Sequence, residues 1–278
     1  MTSRTIVVGA VAYDPKVVTI WEGIKQFFID HQCDMDFVLF SNYEAQVQAL
    51  LSKKIDIAWN TNLAYVTCDS QSGGKAKLLA MRDTDLNFTT LMIAKKDAPL
   101  EKLNDLKGKT IAFGSKDSAQ AAVIPEYFLL VEGLQADKDY TALRFNSDVG
   151  KHGDTGTSER EVVHAVLSGE AAAGALGKST WDHMQTIGKT AELKVIWTSP
   201  PSSPCCFTAL PDLTSEFAAL FVATLMKMDY KNPAHRIILD MEGLTRWVHG
   251  EKEGYDLVFK AAEKLAYLPS RVALLADC

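Results

Sequence analysis

The stretch DLKGKTIAFGSKDSAQAAVIP, residues 105–125, decides how the rest of the chain is read. Lys109 to Phe113 alternates around β-branched Thr110 and Ile111 and reads as a short buried strand that Gly114 ends. Ser115, Lys116, Asp117 and Ser118 make a small polar turn, and the alanine-rich segment over residues 119–131 reads as a helix. A strand, a tight turn and a helix start aim unpaired backbone N–H groups and the positive end of the helix dipole into the turn. Such a turn is a natural place to hold an anion. The same residues also admit a purely local role, with Asp117 as N-cap and Gln120 three residues on completing a capping box. In that case the Asp117 carboxylate occupies the amides that an anionic ligand would use.

Toward the N-terminus the pattern alternates. Residues 5–11 form a β-branched strand that ends at Tyr13, Asp14 and Pro15, and residues 17–29 place Val17, Ile20, Trp21, Ile24, Phe27 and Phe28 on one helical face. A strand over 35–40, a helix over 43–51 capped by Ser41 or Asn42, a strand over 55–59 and a short helix over 63–67 follow. This β-α-β-α-β-α order implies a parallel sheet with ligands approaching the carboxyl ends of its strands. Tyr13, Tyr43, Asn60 and Thr61 follow those strands and are expected to converge on one edge. Each by itself is an ordinary turn residue.

Toward the C-terminus a second α/β unit is expected from residue 93. The loop NSDVGKHGDTGTS, residues 146–158, is glycine-rich and polar, as a mobile flap or a ligand-gripping loop would be. Three prolines in TSPPSSP, residues 198–204, exclude regular structure and mark a crossover. The remaining helices, including one over 254–266, are expected to return to the first lobe. The lobes then comprise residues 1–92 with 206–278, and residues 93–205, with two chain passages near residues 88–95 and 195–207 as a double-stranded hinge.

At 278 residues with 47% hydrophobic content, the chain can bury a sizeable core, and its length favours two lobes. A net charge of -6 and the lack of a basic patch with interleaved aromatics exclude nucleic acid as the expected partner. No apolar run is long enough to span a bilayer, so the chain is not expected to be membrane-embedded. The N-terminus enters a strand pattern without a signal-peptide signature; as written the chain reads as cytoplasmic, or as periplasmic if a leader preceded it. The five cysteines show no CxxC spacing, which suits a reducing compartment. Cys205 and Cys206 are adjacent, with Cα atoms only about 3.8 Å apart, too close for ordinary disulfide geometry. They read as small buried residues alternating across a strand, with a soft-metal or redox pair as the alternative.

Three blocks, residues 43–66, 103–129 and 159–176, resemble the phosphate- and phosphonate-binding proteins of ABC transporters, in the order in which that family carries them. The resemblance implies an α/β, two-lobed type 2 periplasmic-binding-protein fold, each lobe a mostly parallel sheet flanked by helices, that closes on a small ligand by hinge motion. It implies no cofactor, a small-molecule ligand, an ABC permease as partner, and uptake or sensing as the role. The residues it places at the ligand are Ser115, Ser118, Ala119 and Gln120 from one lobe, Tyr13, Tyr43, Asn60 and Thr61 from the other, with His152 and Glu159 from the polar loop and the helix after it.

Several gripping positions depart from the family. Its Ser-Thr-Ser-Gly run is Ser118-Ala119-Gln120-Ala121 here, its first-hinge tyrosine is Phe88, a histidine is replaced by Glu159, and an acidic position is Gly177. The competing expectation is a cytoplasmic enzyme on the same fold, of the kind found in menaquinone and thiamine-pyrimidine biosynthesis. Its candidate acid/base groups would be His152, Asp154 and Glu159, with Cys206 as nucleophile. His164 falls in an amphipathic helix and reads as a packed or surface residue.

Overall fold

The computed structural model describes residues 4–268. In chain order they form β1 (Ile6–Val11), α1 (Lys16–Asp30), β2 (Met35–Phe40), α2 (Tyr43–Leu51), β3 (Ile57–Thr61), α3 (Asn62–Gln71) and β4 (Lys77–Arg82). Then come β5 (Thr90–Lys95), β6 (Thr110–Phe113), α4 (Ile124–Val131), β7 (Thr141–Arg144), α5 (Thr157–Ser168), β8 (Ala173–Gly177), α6 (Lys178–Thr186) and β9 (Leu193–Thr198). The chain continues with β10 (Cys205–Ala209), α7 (Ser215–Leu225), α8 (Pro233–Glu242), β11 (Trp247–His249) and α9 (Asp256–Lys264). No helix among the described residues is long and apolar enough to cross a membrane.

Two compact units result. The first runs to Asn87 and resumes over Ser203–Tyr255; the second holds Phe88–Ser202 and the described residues from Asp256 on. The crossings at 87/88 and 202/203 lie a few residues from the expected 92/93 and 205/206, and a third crossing appears at 255/256. It moves the last helix, expected in the first lobe, to the second unit. The physical reason is its apolar face: Val258, Ala261 and Ala262 are buried, α9 packs against α4, and the Tyr267 hydroxyl just beyond it donates to the Lys116 carbonyl at 2.6 Å.

In the first unit the strand order is β11-β4-β10-β3-β1-β2. β1 pairs in parallel with β2 and β3, while β10 lies antiparallel between β3 and β4 and β11 antiparallel to β4. β1 to β4 therefore run one way, as the alternating pattern requires, and the two late strands run the other. One face of the sheet is covered by Ile20, Trp21, Ile24 and Phe28 of α1, packed with Phe207 and Phe221. Tyr43, Val47 and Leu50 of α2 and Cys68 of α3 are buried on Val11 and Ala58. Each large apolar side chain so buried contributes roughly 1.5–3 kcal/mol. β3 begins and ends two residues later than the apolar run 55–59 suggests. Antiparallel pairing of Thr61 with Cys205 and Asn60 with Cys206 carries the strand through two polar residues.

In the second unit the order is β7-β6-β8-β5-β9, with β6 parallel to β7 and β8 and β5 antiparallel to β8 and β9. β5 shows the period of a strand buried on both faces. Met92 and Ala94 enter one core with Ile111, Phe113 and Leu129, and Leu91 and Ile93 enter another with Val163, Val166 and Leu176.

The segment 119–131 is helical throughout, as expected, yet it is not a uniform α-helix. Ala119–Val123 forms a wider π turn that runs into α4, with the Val123 N–H donating to the Ser118 carbonyl at 3.1 Å. Pro125 explains part of this. It has no N–H to serve the Ala121 carbonyl four residues back, and the Gly114 N–H serves that carbonyl instead, at 3.0 Å. The approach is so close that a Cβ on Gly114 would stand 2.6 Å from the Ala121 Cβ and 3.0 Å from the Ser158 Oγ. Gly114→Ala is therefore expected to cost about 1–3 kcal/mol by overpacking and to lower the thermal midpoint by several degrees. An unchanged midpoint in a thermal melt would refute the close approach.

Candidate functional site

The turn after β6 and the loop over residues 146–156 form one hydrogen-bonded structure within the second unit. The Ser115 Oγ accepts the Asp148 N–H at 2.9 Å and donates to the Phe145 carbonyl at 3.3 Å. The Lys116 N–H donates to the Asn146 Oδ1 at 3.2 Å, and the Gly150 N–H to the Asp117 Oδ2 at 2.5 Å. Asp148, itself buried, accepts the Ser158 N–H and Oγ–H at 2.8 Å each and the Thr155 hydroxyl. It supplies the α5 N-terminus with the cap that Gly156, in the left-handed region at φ 63°, lacks. The glycine-rich loop is thus pinned to the turn by side-chain to backbone bonds.

Asp117 does not cap the helix. Ser118 is the N-cap, its Oγ accepting the Ala121 N–H at 3.2 Å, because the loop amide of Gly150 draws the Asp117 carboxylate away. The capping box with Gln120 is accordingly not formed. Ser118 still has its hydroxyl hydrogen to donate, and the first N–H groups, those of Ala119 and Gln120, lie outside the helix's own ladder. Gly153, at φ +88°, lies against this start: a Cβ there would meet the Ser118 Oγ at 2.6 Å and the Gln120 Nε2 at 3.1 Å. His152 is buried, and its Nε2 stands 4.0 Å from the Asp117 Oδ2.

Glu159, in the first turn of α5, is buried to 1% exposure. Its Oε2 accepts the Gly177 N–H at 2.9 Å, and Thr180 and Gln120 hydrogen-bond to its carboxylate. Burial nevertheless pushes its pKa up from the ordinary 4.5, because desolvation outweighs those three donors. Gly177 sits under the same cluster: a Cβ on it would come within 2.8 Å of the Phe88 ring and 3.1 Å of the Gln120 Cγ. Phe88, Gln120, Glu159 and Gly177 are therefore packed together.

In the first unit Tyr13, Tyr43, Asn60 and Thr61 follow or end β1, β2 and β3, as expected. Tyr13 is half-buried beside Lys16, whose Nζ lies 5.9 Å from the ring centroid. Tyr43 is packed into the core against Val11, Val47 and Leu50. Asn60 is fully buried, its Oδ1 accepting from the Gln46 Nε2 at 2.8 Å and its Nδ2 3.7 Å from the Cys68 Sγ. Thr61 caps α3 through the Ala64 N–H at 3.4 Å.

Cys205 and Cys206 are both buried in β10, Cys205 in the core around Trp59 and Phe207 and Cys206 beside the Thr208 Oγ1 at 3.5 Å. Burial pushes the Cys206 thiol up to about 12, so a thiolate nucleophile is not available there at neutral pH. His164 is exposed on α5. Sequence inspection overlooked Asp148, Thr180 and Gln46. Apart from Thr155, seven residues from Asp148, their partners lie ten or more residues away, where no local spacing signals them.

Residues 28–255 match the family model of the phosphonate periplasmic substrate-binding protein of ABC transporters. A probable ABC transporter phosphite-binding protein, PhnD1, of Prochlorococcus marinus (strain MIT 9301) is 26% identical over 244 residues, 84% of this chain and 79% of that protein. The structure of PhnD1 from P. marinus in complex with methylphosphonate aligns with a TM-score of 0.73 at 23% identity, covering 96% of this chain and all of that one. XAC2383 from Xanthomonas citri, bound to ATP, aligns with a TM-score of 0.76 at 14% identity, covering 95% of this chain and 98% of that one. At such identities the two structures show a shared fold.

Glu159 makes a pH-dependent prediction. Its folded-state pKa lies above the unfolded value, so the native state holds the extra proton between the two, and its contribution to stability falls as pH rises from 4.5 through that window. Glu159→Gln, a neutral near-isostere of the protonated acid, should lack this slope. Thermal melts from pH 4.5 to 7.5 test this; parallel pH profiles for the two proteins would refute it.

Proposed function

We infer, for a chain that belongs to the phosphonate family of periplasmic substrate-binding proteins of ABC transporters, that its ligand is a small phosphonate-type oxyanion held at the start of the 119–131 helix. The observation that supports this is the pinned turn: Ser115, Asn146 and Asp148 hold the backbone that leads into the Ser118 hydroxyl and the Ala119 and Gln120 amides at the helix start. A helix N-terminus contributes at most about 2 kcal/mol, and micromolar binding needs about 8. Hydroxyl and amide donors must supply much of the rest.

The packed cluster at Phe88 bears on which oxyanion is preferred. Where the family carries a tyrosine hydroxyl and an acidic side chain, this chain carries an aromatic ring seated on Gly177, a position that cannot hold a side chain without moving Phe88. Such a wall offers a ligand apolar surface, and the Glu159 carboxylate behind it is already engaged by Gly177, Thr180 and Gln120. Small alkylphosphonates and phosphite are thereby favoured over aminoalkylphosphonates. Transfer of the ligand to an ABC permease follows from the family and is part of this proposal.

Titration calorimetry at pH 7 with methylphosphonate, phosphite, phosphate, 2-aminoethylphosphonate and sulfate tests the assignment. Methylphosphonate or phosphite should bind tightest. Ser118→Gly removes the hydroxyl donor and, as glycine is tolerated at an N-cap, spares most of the helix start. It should weaken binding by about 10-fold or more, the worth of one hydrogen bond to a charged group. Silence with every oxyanion, or full affinity in Ser118→Gly, would overturn the site.

A further inference from the structure

Asp117 is the residue of this turn that anion binding does not explain. It sits directly before the N-cap, and 7% of its surface is exposed. Its Oδ2 accepts the Gly150 N–H, while its Oδ1 is buried with no hydrogen-bond partner among the described residues. A buried carboxylate oxygen without a donor is costly, and a carboxylate beside an anion site repels the anion. Both problems vanish if a cation lies between them.

The second ligand atom is at hand. The His152 Nε2 is 4.0 Å from the Asp117 Oδ2, too far for a hydrogen bond and within the roughly 4.2 Å that two metal–ligand bonds of about 2.1 Å can span. His152 is held there by its backbone, at φ 52° between the left-handed glycines Gly150 and Gly153. The left-handed region is uncommon for a non-glycine residue, and histidine is among those enriched in it.

We propose that Asp117 and His152 hold a divalent transition-metal ion of the zinc class, whose remaining coordination positions accept oxygens of the bound oxyanion. Imidazole with one carboxylate selects zinc or its neighbours over magnesium and calcium, which take oxygen donors. Two protein ligands leave the ion open, so water completes it in the absence of ligand and phosphonate oxygens replace water on binding. The metal then acts as the positive group that the family's missing donors do not provide. The bridging role rests on the phosphonate assignment above; the metal site itself does not.

The test uses the full chain after chelation and dialysis at pH 7, with Zn²⁺ alone, Mg²⁺ alone, and methylphosphonate with and without Zn²⁺. Two variants preserve the local backbone: Asp117→Asn keeps an acceptor for the Gly150 N–H, and His152→Asn places a residue that tolerates the left-handed conformation. Zn²⁺ at 100 times its dissociation constant should raise the wild-type midpoint by about 5 °C, Mg²⁺ should not, and either variant should lose at least half of the shift. Methylphosphonate affinity should fall 10-fold or more when Zn²⁺ is withheld.

No zinc shift, or the same shift in both variants, overturns the metal site and leaves Asp117 and His152 as neighbours without a metal role. Equal methylphosphonate affinity with and without Zn²⁺ overturns the bridge while the phosphonate assignment stands. A variant-sensitive zinc shift without any oxyanion binding supports the metal site and overturns the phosphonate assignment instead.

Discussion

The hydrogen bond from Gly114 to the Ala121 carbonyl is the constraint on which the second unit's turn after β6 depends. Pro125 leaves that carbonyl without its helical donor, and the end of β6 supplies one at 3.0 Å. Strand end and helix start are thereby brought to side-chain contact, which only glycine at 114 allows. The four residues between have little freedom left. Ser115 meets Phe145 and Asp148, Asp117 meets Gly150, and Ser118 becomes the cap.

The same logic of mutual exclusion governs the cluster around Gly177. Phe88 and Gln120 fill the volume above it, so a side chain at 177 is incompatible with the Phe88 ring where it stands. Glu159 then takes the Gly177 N–H, Thr180 and Gln120 as donors. Its burial costs more than these donors return, which is why its pKa is raised. Residues far apart along the chain thus meet in one packed cluster.

The first unit handles its polar residues differently. Gln46 and Asn60 bridge α2 and β3 from within: the Gln46 Nε2 serves both the Trp59 carbonyl and the Asn60 Oδ1 at 2.8 Å. This pair holds the carboxyl end of β3 against α2, where a lone buried amide would be destabilising. The Tyr255 hydroxyl, donating to the Cys205 carbonyl at 2.7 Å, likewise satisfies the start of β10 from the side. Asn60 stands at the strand end that the sequence pattern singles out, yet its side chain is engaged internally.

Local chemistry was enough to read much of this protein from its residues. The 3.6-residue spacing from Val17 to Phe28, a cap at Ser41 or Asn42 before Tyr43, the strand–turn–helix around Gly114 and the family blocks were legible, because each depends on neighbours a few residues away. The role of Asp117 was not, because an amide 33 residues on, that of Gly150, competes for its carboxylate. Nor was the unit to which α9 belongs, because an amphipathic helix announces that it has a buried face and not which surface covers it. The late start and end of β3 depended on β10, nearly 150 residues downstream, whose pairing keeps Asn60 and Thr61 in the strand. Sequence alone determined most of the elements, though not β11, and the family they compose. Tertiary structure decided which polar groups at their ends meet, since a hydrogen bond between distant residues leaves no periodic trace in the chain.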